Sequence, residues 1–228
     1  MWDRPEPPAL PAPVPLSRDA IVQAAITLAD ADGLAAVSLR KVAAELTAGP
    51  MRLYRYISTK EELLDLMVDA VYGEIPLVGP DLDWRAALTS IAHGVRAAVL
   101  RHEWLADLFG GRPNQGPHAL AHLEASLAAV AGDIEDIDTV LQAVAAVNRY
   151  VVGAVKAELA NRRVEQASGL TTRQWQRTVG PYLHRQIATG RFPTLARVMA
   201  EAADPSPDET FEIGLTYVLD GIATQVVR

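Results

Sequence analysis

Between Ser38 and Lys60 the chain gathers hydroxyl, guanidinium, phenol and ammonium groups, the donors that hold phosphate oxygens and read base edges. Ser38 and Lys60 fall where helices are expected to begin, and free backbone N–H groups there favour phosphate; Arg40 projects from a first helical turn. Gly49, Pro50, Met51 and Arg52 open a further short helix. Arg52 offers a planar fork that matches the two major-groove acceptors of guanine, and Met51 an apolar tip suited to a thymine methyl. Tyr54, Arg55 and Tyr56 follow within a turn, so the outward face is basic and aromatic. The chemistry is recognition of nucleic acid, not the making of bonds.

No catalytic set competes with it. The chain has no Cys, which removes thiolate catalysis, disulfides and cysteine-ligated zinc. His118 and His122 stand four apart, but H-A-L-A-H holds no carboxylate between them, unlike the metal helix H-E-x-x-H. They are expected on a solvated helix face. Neither a cofactor nor a metal is expected.

The elements that must position the donors are legible around them. Ser17 caps a bracing helix with Ile21, Ala24, Ala25 and Leu28 inward, closed at Asp32-Gly33. Ser38 caps a second helix with Leu39, Val42, Ala43 and Leu46 on one side. Thr47 and Ala48 leave room only for a tight turn before Gly49-Pro50, and Pro costs no hydrogen bond at a helix start. Leu53 and Ile57 can then pack back on the second helix. Ser58 to Glu61 reads S-x-x-E, a capping box for the next helix, which carries Leu63, Leu64, Met67 and Val71 to about Tyr72. The arrangement is a helix-turn-helix.

These residues resemble the DNA-binding domain of the tetracycline-repressor (TetR-type) family of transcriptional regulators. The phrases G-L-A-A-V-S-L-R-K-V-A-A-E-L, L-Y-R-Y and S-T-K-E-E-L-L carry the likeness, from about Ser17 to Tyr72. It implies that Tyr54 and Tyr56 bind phosphates through their hydroxyls, and that the helix ending near Tyr72 is shared by two domains. Thr47 departs from the pattern, which usually has Gly in that turn.

The formal net charge of −7 is unevenly spread. From Ser17 to Lys60 six bases, Arg18, Arg40, Lys41, Arg52, Arg55 and Lys60, outnumber the four acids Asp19, Asp30, Asp32 and Glu45. Acid is therefore segregated away from the DNA-facing part. Half the residues are hydrophobic, the apolar runs stop short of a membrane span, and the N-terminal residues show no signal-peptide h-region. A soluble cytoplasmic protein is expected.

The fold expected is all-α, with about nine to ten helices. Residues 1–16, with Pro at positions 5, 7, 8, 11, 13 and 15, read as a disordered tail, residues 17–75 as the DNA-binding domain and residues 76–228 as a larger helical domain. Gly73, Pro76, Gly79 and Pro80 mark the boundary. Beyond it, Asp83 or its neighbour starts a helix to about Arg101, and a short helix spans Trp104 to Phe109. Another, about Gly116 to Ala131, carries Leu120, Leu123, Leu127 and Val130 as its apolar stripe. The longest runs from Ile134 through Val155, with Asn161 to Ser168 as a connection. Helices at about Thr172 to Thr189, from Pro193 to near Ala203, and about Pro207 to Val227 complete the chain.

D-W-R-A-A-L and F-E-I-G-L-T-Y-V-L-D-G-I give this region a resemblance to the tetracycline-repressor-like C-terminal domain. It implies a homodimer built from the long central and last helices, which Gly153, Gly214 and Gly221 suit by allowing close approach. In tetracycline repressors proper a magnesium-ligating His precedes a G-x-R-P turn; here Leu108 stands at that place before G-G-R-P, so tetracycline with magnesium is a poor inducer candidate. Trp104, Phe109, Asn148, Tyr150, Trp175 and Met199 are candidates to line a small-molecule cavity. The function expected is a repressor released from a palindromic double-stranded operator by a small-molecule effector. The alternatives are a helical ligand-binding or interaction module that does not read DNA, and an all-α enzyme.

Overall fold

The computed structural model describes residues 1–7, 16–79, 81–111 and 113–226. All regular structure among them is helical, as expected: eleven α-helices and one short 3-10 turn at Leu34–Ala36. Helices α1 (Arg18–Asp32), α2 (Leu39–Glu45), α3 (Pro50–Leu53) and α4 (Lys60–Tyr72) form the head. The body comprises α5 (Trp84–Arg101), α6 (Leu105–Leu108), α7 (Pro117–Ala131), α8 (Ile137–Ser168), α9 (Thr172–Ile187), α10 (Pro193–Glu201) and α11 (Pro207–Ala223).

Side-chain caps set most of the starts. The Ser17 hydroxyl accepts from Ala20 N at 3.0 Å, Ser38 from Lys41 N at 3.3 Å, and the Asp83 carboxylate from Ala86 N at 2.9 Å. At α4 the cap lies one residue later than S-x-x-E suggested. Thr59 is the N-cap and accepts from Glu62 N, while Glu62 reaches back to Ser58 N at 2.8 Å. Thr59 takes the extended backbone and caps the helix, while Glu62 bonds the N–H of the residue before the cap, so the start is a threonine cap and not a reciprocal box.

Buried Ile21, Ala25, Val42, Leu53, Ile57, Leu63 and Met67 form the core of the head. Continuous apolar packing joins it to the body through Val71 and Ile75. In the body α8 is the axle, packed by α5, α7 and α11. It is one unbroken helix to Ser168, so Asn161 to Ser168 is helix and not connection. Its core residues run from Val140 to Leu159, and the last two turns bury nothing. On α7 the stripe expected from Leu120 and Leu123 is wrong. Those leucines are about half exposed, whereas Val130 is buried and Leu127 packs against the core as expected, and His122 and Ser126 are buried beside them. Apolar residues surround this helix, so their spacing leaves its orientation open, and polar anchors decide it.

Arg96 of α5 ties the body together. Its guanidinium meets Glu158 of α8 at 2.9 Å and Asp208 of α11 at 2.6 Å, over the Phe211 ring at 4.9 Å. Burial opposes its charge, but the bonds to Asp208 and Glu158 outweigh this and raise its pKa. No helix among the described residues is long and apolar enough to cross a membrane.

Thr47, the departure in the turn, has φ 47° and is the one non-glycine residue in left-handed backbone among those described. The turn holds it there: its N–H donates to Ala44 O at 3.0 Å and that of Ala48 to Ala43 O at 2.8 Å. A β-branched residue is strained in this region by about 1–2 kcal/mol. Thr47→Gly is expected to raise folding stability by about 0.5–1 kcal/mol, after glycine's greater unfolded entropy is subtracted, measured by urea unfolding.

Candidate DNA interface and ligand cavity

The head presents one outward face. Gly49 is the N-cap of α3 and Pro50 its first residue, so the helix opens as expected. Regular helix lasts four residues, and the chain then turns through Tyr56. Met51 is 78% exposed, Tyr54 about half exposed, and Arg40, Arg55, Ser58 and Lys60 are exposed; Arg52 is partly buried. Met51 and Arg52 lie on the second helix of a helix-turn-helix, the part that enters a major groove, with Tyr54 and Arg55 in the turn after it, Arg40 on α2, and Ser58 and Lys60 at the start of α4. Tyr56 is different. It is only 4% exposed and its ring belongs to the core, so packing, rather than open display of the hydroxyl, sets its position. Leu53 and Ile57, both fully buried, fix the angle of the short helix against α2.

A feature absent from the expectation lies beside this face. Arg4, in the proline-rich leader, pairs with Glu62 and donates to Ser58 Oγ at 3.0 Å. Arg18 in turn donates to the Arg4 carbonyl at 3.1 Å. Residues 8–15 of the leader lie outside the described residues. The signal for Arg4 was its status as the leader's lone base; its partner could not be read from order along the chain.

Two polar anchors join head to body. The Asp69 carboxylate of α4, 4% exposed, accepts from Ala119 N and from His118 Nδ1, each at 2.9 Å. Helix α7 has no cap of its own at Gly116, so Asp69 from another helix does that work. A Cβ on Gly116 would collide with this carboxylate. Asp30 of α1 accepts from Trp104 Nε1 at 2.7 Å and His102 Nδ1 at 2.8 Å, and His102 Nε2 meets Glu74 at 3.1 Å.

Between α4, α5, α7 and α8 lies a cavity of about 700 Å³, within the range that takes drug-sized ligands. Leu64, Val68 and Tyr72 of α4 form one wall, Ile91 and Val95 of α5 another, with Phe109, Leu123, His122, Ser126 and Asn148 completing it. Burial raises the Tyr72 pKa, so the phenol keeps its proton and stays a donor. Of the six residues expected to line a cavity, Phe109 and Asn148 do so here. Trp104 is instead buried in the core and bonded to Asp30. Tyr150 donates to Phe211 O at 2.7 Å and lines a second groove between α8 and α11. Trp175 and Met199 stand exposed on α9 and α10. His122, read from the sequence as solvated, is 5% exposed and faces the cavity; only His118 of that pair is open to solvent. No group of three or more metal-ligating side chains occurs among the described residues.

A helix-turn-helix head on a cavity-bearing helical body defines a DNA-binding transcription regulator rather than an enzyme. The model for tetR-family bacterial regulatory proteins matches residues 21–67, and that for the tetracyclin repressor-like C-terminal domain matches residues 76–226. The chain belongs to the tetR family. It is 36% identical over its whole length to the HTH-type transcriptional repressor DrrR1 of Streptomyces coeruleorubidus, covering 85% of that protein. It is 27% identical to the class A tetracycline repressor of transposon 1721 from Escherichia coli, across 93% of this chain and 94% of that one. The fold superimposes on ActR of Streptomyces coelicolor in complex with actinorhodin with a TM-score of 0.80, at 26% identity, covering 95% of this chain and 98% of the other.

Arg52→Ala is expected to cost about 1–3 kcal/mol of discrimination and to relax preference at one base position per half-site. Lys60→Ala should weaken binding to all duplexes alike and reduce the salt slope by about one. Selection of bound sequences from random duplexes, with a salt titration of each variant, checks both.

Proposed function

We propose that this protein is a homodimeric repressor that holds a palindromic operator through Pro50 to Tyr56 and its neighbours, and leaves it when a small molecule fills the cavity beneath α4. The observation that carries the reading is that α4 belongs to both sites. Its first turn follows the recognition segment directly in the chain, where Glu62 accepts from Ser58 N, and its Leu64, Val68 and Tyr72 line the cavity. A ligand that prefers a shifted α4 therefore draws the population away from the DNA-competent spacing of the heads. DrrR1 is named a repressor and ActR is seen with actinorhodin, which support the sign and the existence of an effector.

Several surfaces support a second copy as partner. Ile213 and Tyr217, one turn apart on α11, are 45% and 72% exposed. A Cβ on Gly153 or Gly221 would meet open space, whereas Gly214 is crowded by Tyr150 of the same chain. Helices α9 and α10 bury no residue and leave Trp175, Tyr182, Leu195 and Val198 uncovered. Apolar area of this extent suits a protein interface. A single short recognition helix also reads too few bases to be selective alone. Such a regulator works in the cytoplasm, where its operator lies.

Fluorescence anisotropy with the selected operator tests the reading. Saturation with a bound small molecule should weaken operator affinity about 5- to 150-fold. Tyr217→Glu should give a monomer by sedimentation and lose the palindromic preference. Unchanged operator affinity at ligand saturation defeats the inducer reading, and a monomeric wild-type protein defeats the dimer.

A further inference from the structure

The leader reaches the DNA-facing end of the head through one side chain. The Arg4 guanidinium donates to three acceptors: the carbonyl of Tyr56, the hydroxyl of Ser58 at 3.0 Å and the carboxylate of Glu62. Tyr56 ends the turn that follows α3, and Glu62 lies in the first turn of α4. Glu62 is 8% exposed. A carboxylate so far out of water needs donors on both oxygens, and it has Arg4 on Oε1 and the Ser58 N–H on Oε2 at 2.8 Å. The leader is tied to α1 as well. Arg18 donates its guanidinium to the Arg4 carbonyl at 3.1 Å, and its N–H, the first of α1, to the Glu6 carboxylate. The start of α1, the end of the recognition segment and the start of α4 thus meet in one clasp. Both terminal nitrogens of Arg4 are engaged on the protein and Nε is buried, so the guanidinium is committed inward.

The recognition segment needs an outside hold. Its regular helix is four residues, Pro50–Leu53, too short to keep its shape alone. The bonds at its end are long, 3.4 Å from Tyr54 N to the Pro50 carbonyl and 3.3 Å from Arg55 N to the Arg52 carbonyl. Leu53, Tyr56 and Ile57 hold its inner side by packing, which is non-directional. The bond from Arg4 to the Tyr56 carbonyl adds a directional hold at the exit, beside Tyr54 and Arg55. We propose that Arg4 is a positioning residue for DNA recognition: it fixes the exit of the recognition segment against α4 and touches neither base nor phosphate itself. A guanidinium suits this task because its planar fork serves several acceptors at once. The inference rests on the head reading DNA through Pro50 to Tyr56, and adds the leader to the working parts of that head.

Two measurements on the full-length protein test it. Without DNA, hydrogen exchange in Arg4→Ala should speed by about tenfold or more over residues 54–60, with the body unchanged. With the selected operator, fluorescence anisotropy should show Arg4→Ala binding about tenfold more weakly, the worth of one charge-assisted hydrogen bond. Arg4→Lys, which keeps the charge and loses the fork, should recover only a minor part of that loss. Once Glu62→Ala has removed the anchor, Arg4→Ala should cost less than about threefold, because a residue that acts through another loses its effect with it. Additive losses in that cycle mean a direct phosphate contact, and full recovery by Arg4→Lys means that charge alone suffices; either overturns the inference. So does unchanged exchange at residues 54–60, or faster exchange throughout the fold, a result that needs only Arg4→Ala and stands if the Glu62 variant does not fold. The two readings fail separately. Faster exchange at residues 54–60 in a protein with no sequence preference defeats operator reading and keeps the clasp, while a palindromic preference whose affinity Arg4→Ala leaves intact does the reverse.

Discussion

The carboxylate of Asp69 is the contact on which the relation of the two domains depends. A negative group is held almost wholly out of water, and what makes that tolerable is a set of donors supplied entirely by the other domain: the Ala119 N–H and the His118 ring. Because α7 lacks a cap of its own, the debt is mutual. The helix needs the carboxylate to satisfy its first turn, and the carboxylate needs the helix to replace its water. Neither domain can tilt far against the other without stranding a buried charge and an open helix end together. Motion between head and body is thereby channelled into α4, the element that carries the anchor.

That constraint explains the placing of the cavity. It lies between α4 and α7, the two helices that Asp69 joins, with each forming part of its wall. Elsewhere in the body Arg96 fixes α5 to α8 and α11, through a pair with Glu158 that is largely removed from water and one with the exposed Asp208.

The sequence discloses most of the head and less of the body, for a physical reason. In the head, caps, a turn and apolar spacing all act within a few residues. Ser17, Ser38 and Gly49-Pro50 therefore give their helix starts directly, and even the slip from Ser58 to Thr59 is a single residue. In the body, α7 is apolar on all sides and α8 runs on through a polar stretch with good helix formers, so periodicity alone decides neither orientation nor end. His122 was missed because a histidine among alanines looks like a surface residue until the Ile75 carbonyl is placed against it. Trp104 looked like a ligand platform, because an indole's value as a hydrogen-bond donor to Asp30 is invisible without the fold. Contacts between residues far apart in the chain carry no local mark.

The Arg4 clasp has its own consequence for the DNA-facing end. Glu62 is a negative charge one turn from Ser58 and two residues from Lys60, where on the proposed reading a phosphate backbone would run, and Arg4 cancels it while bracing the loop at Ser58. Without that guanidinium the same carboxylate would repel the polyanion across a short gap, an effect that thins as counter-ions are added. On the proposed reading the leader is an electrostatic shim: a few residues with no helix of their own would adjust how closely the protein can approach its operator.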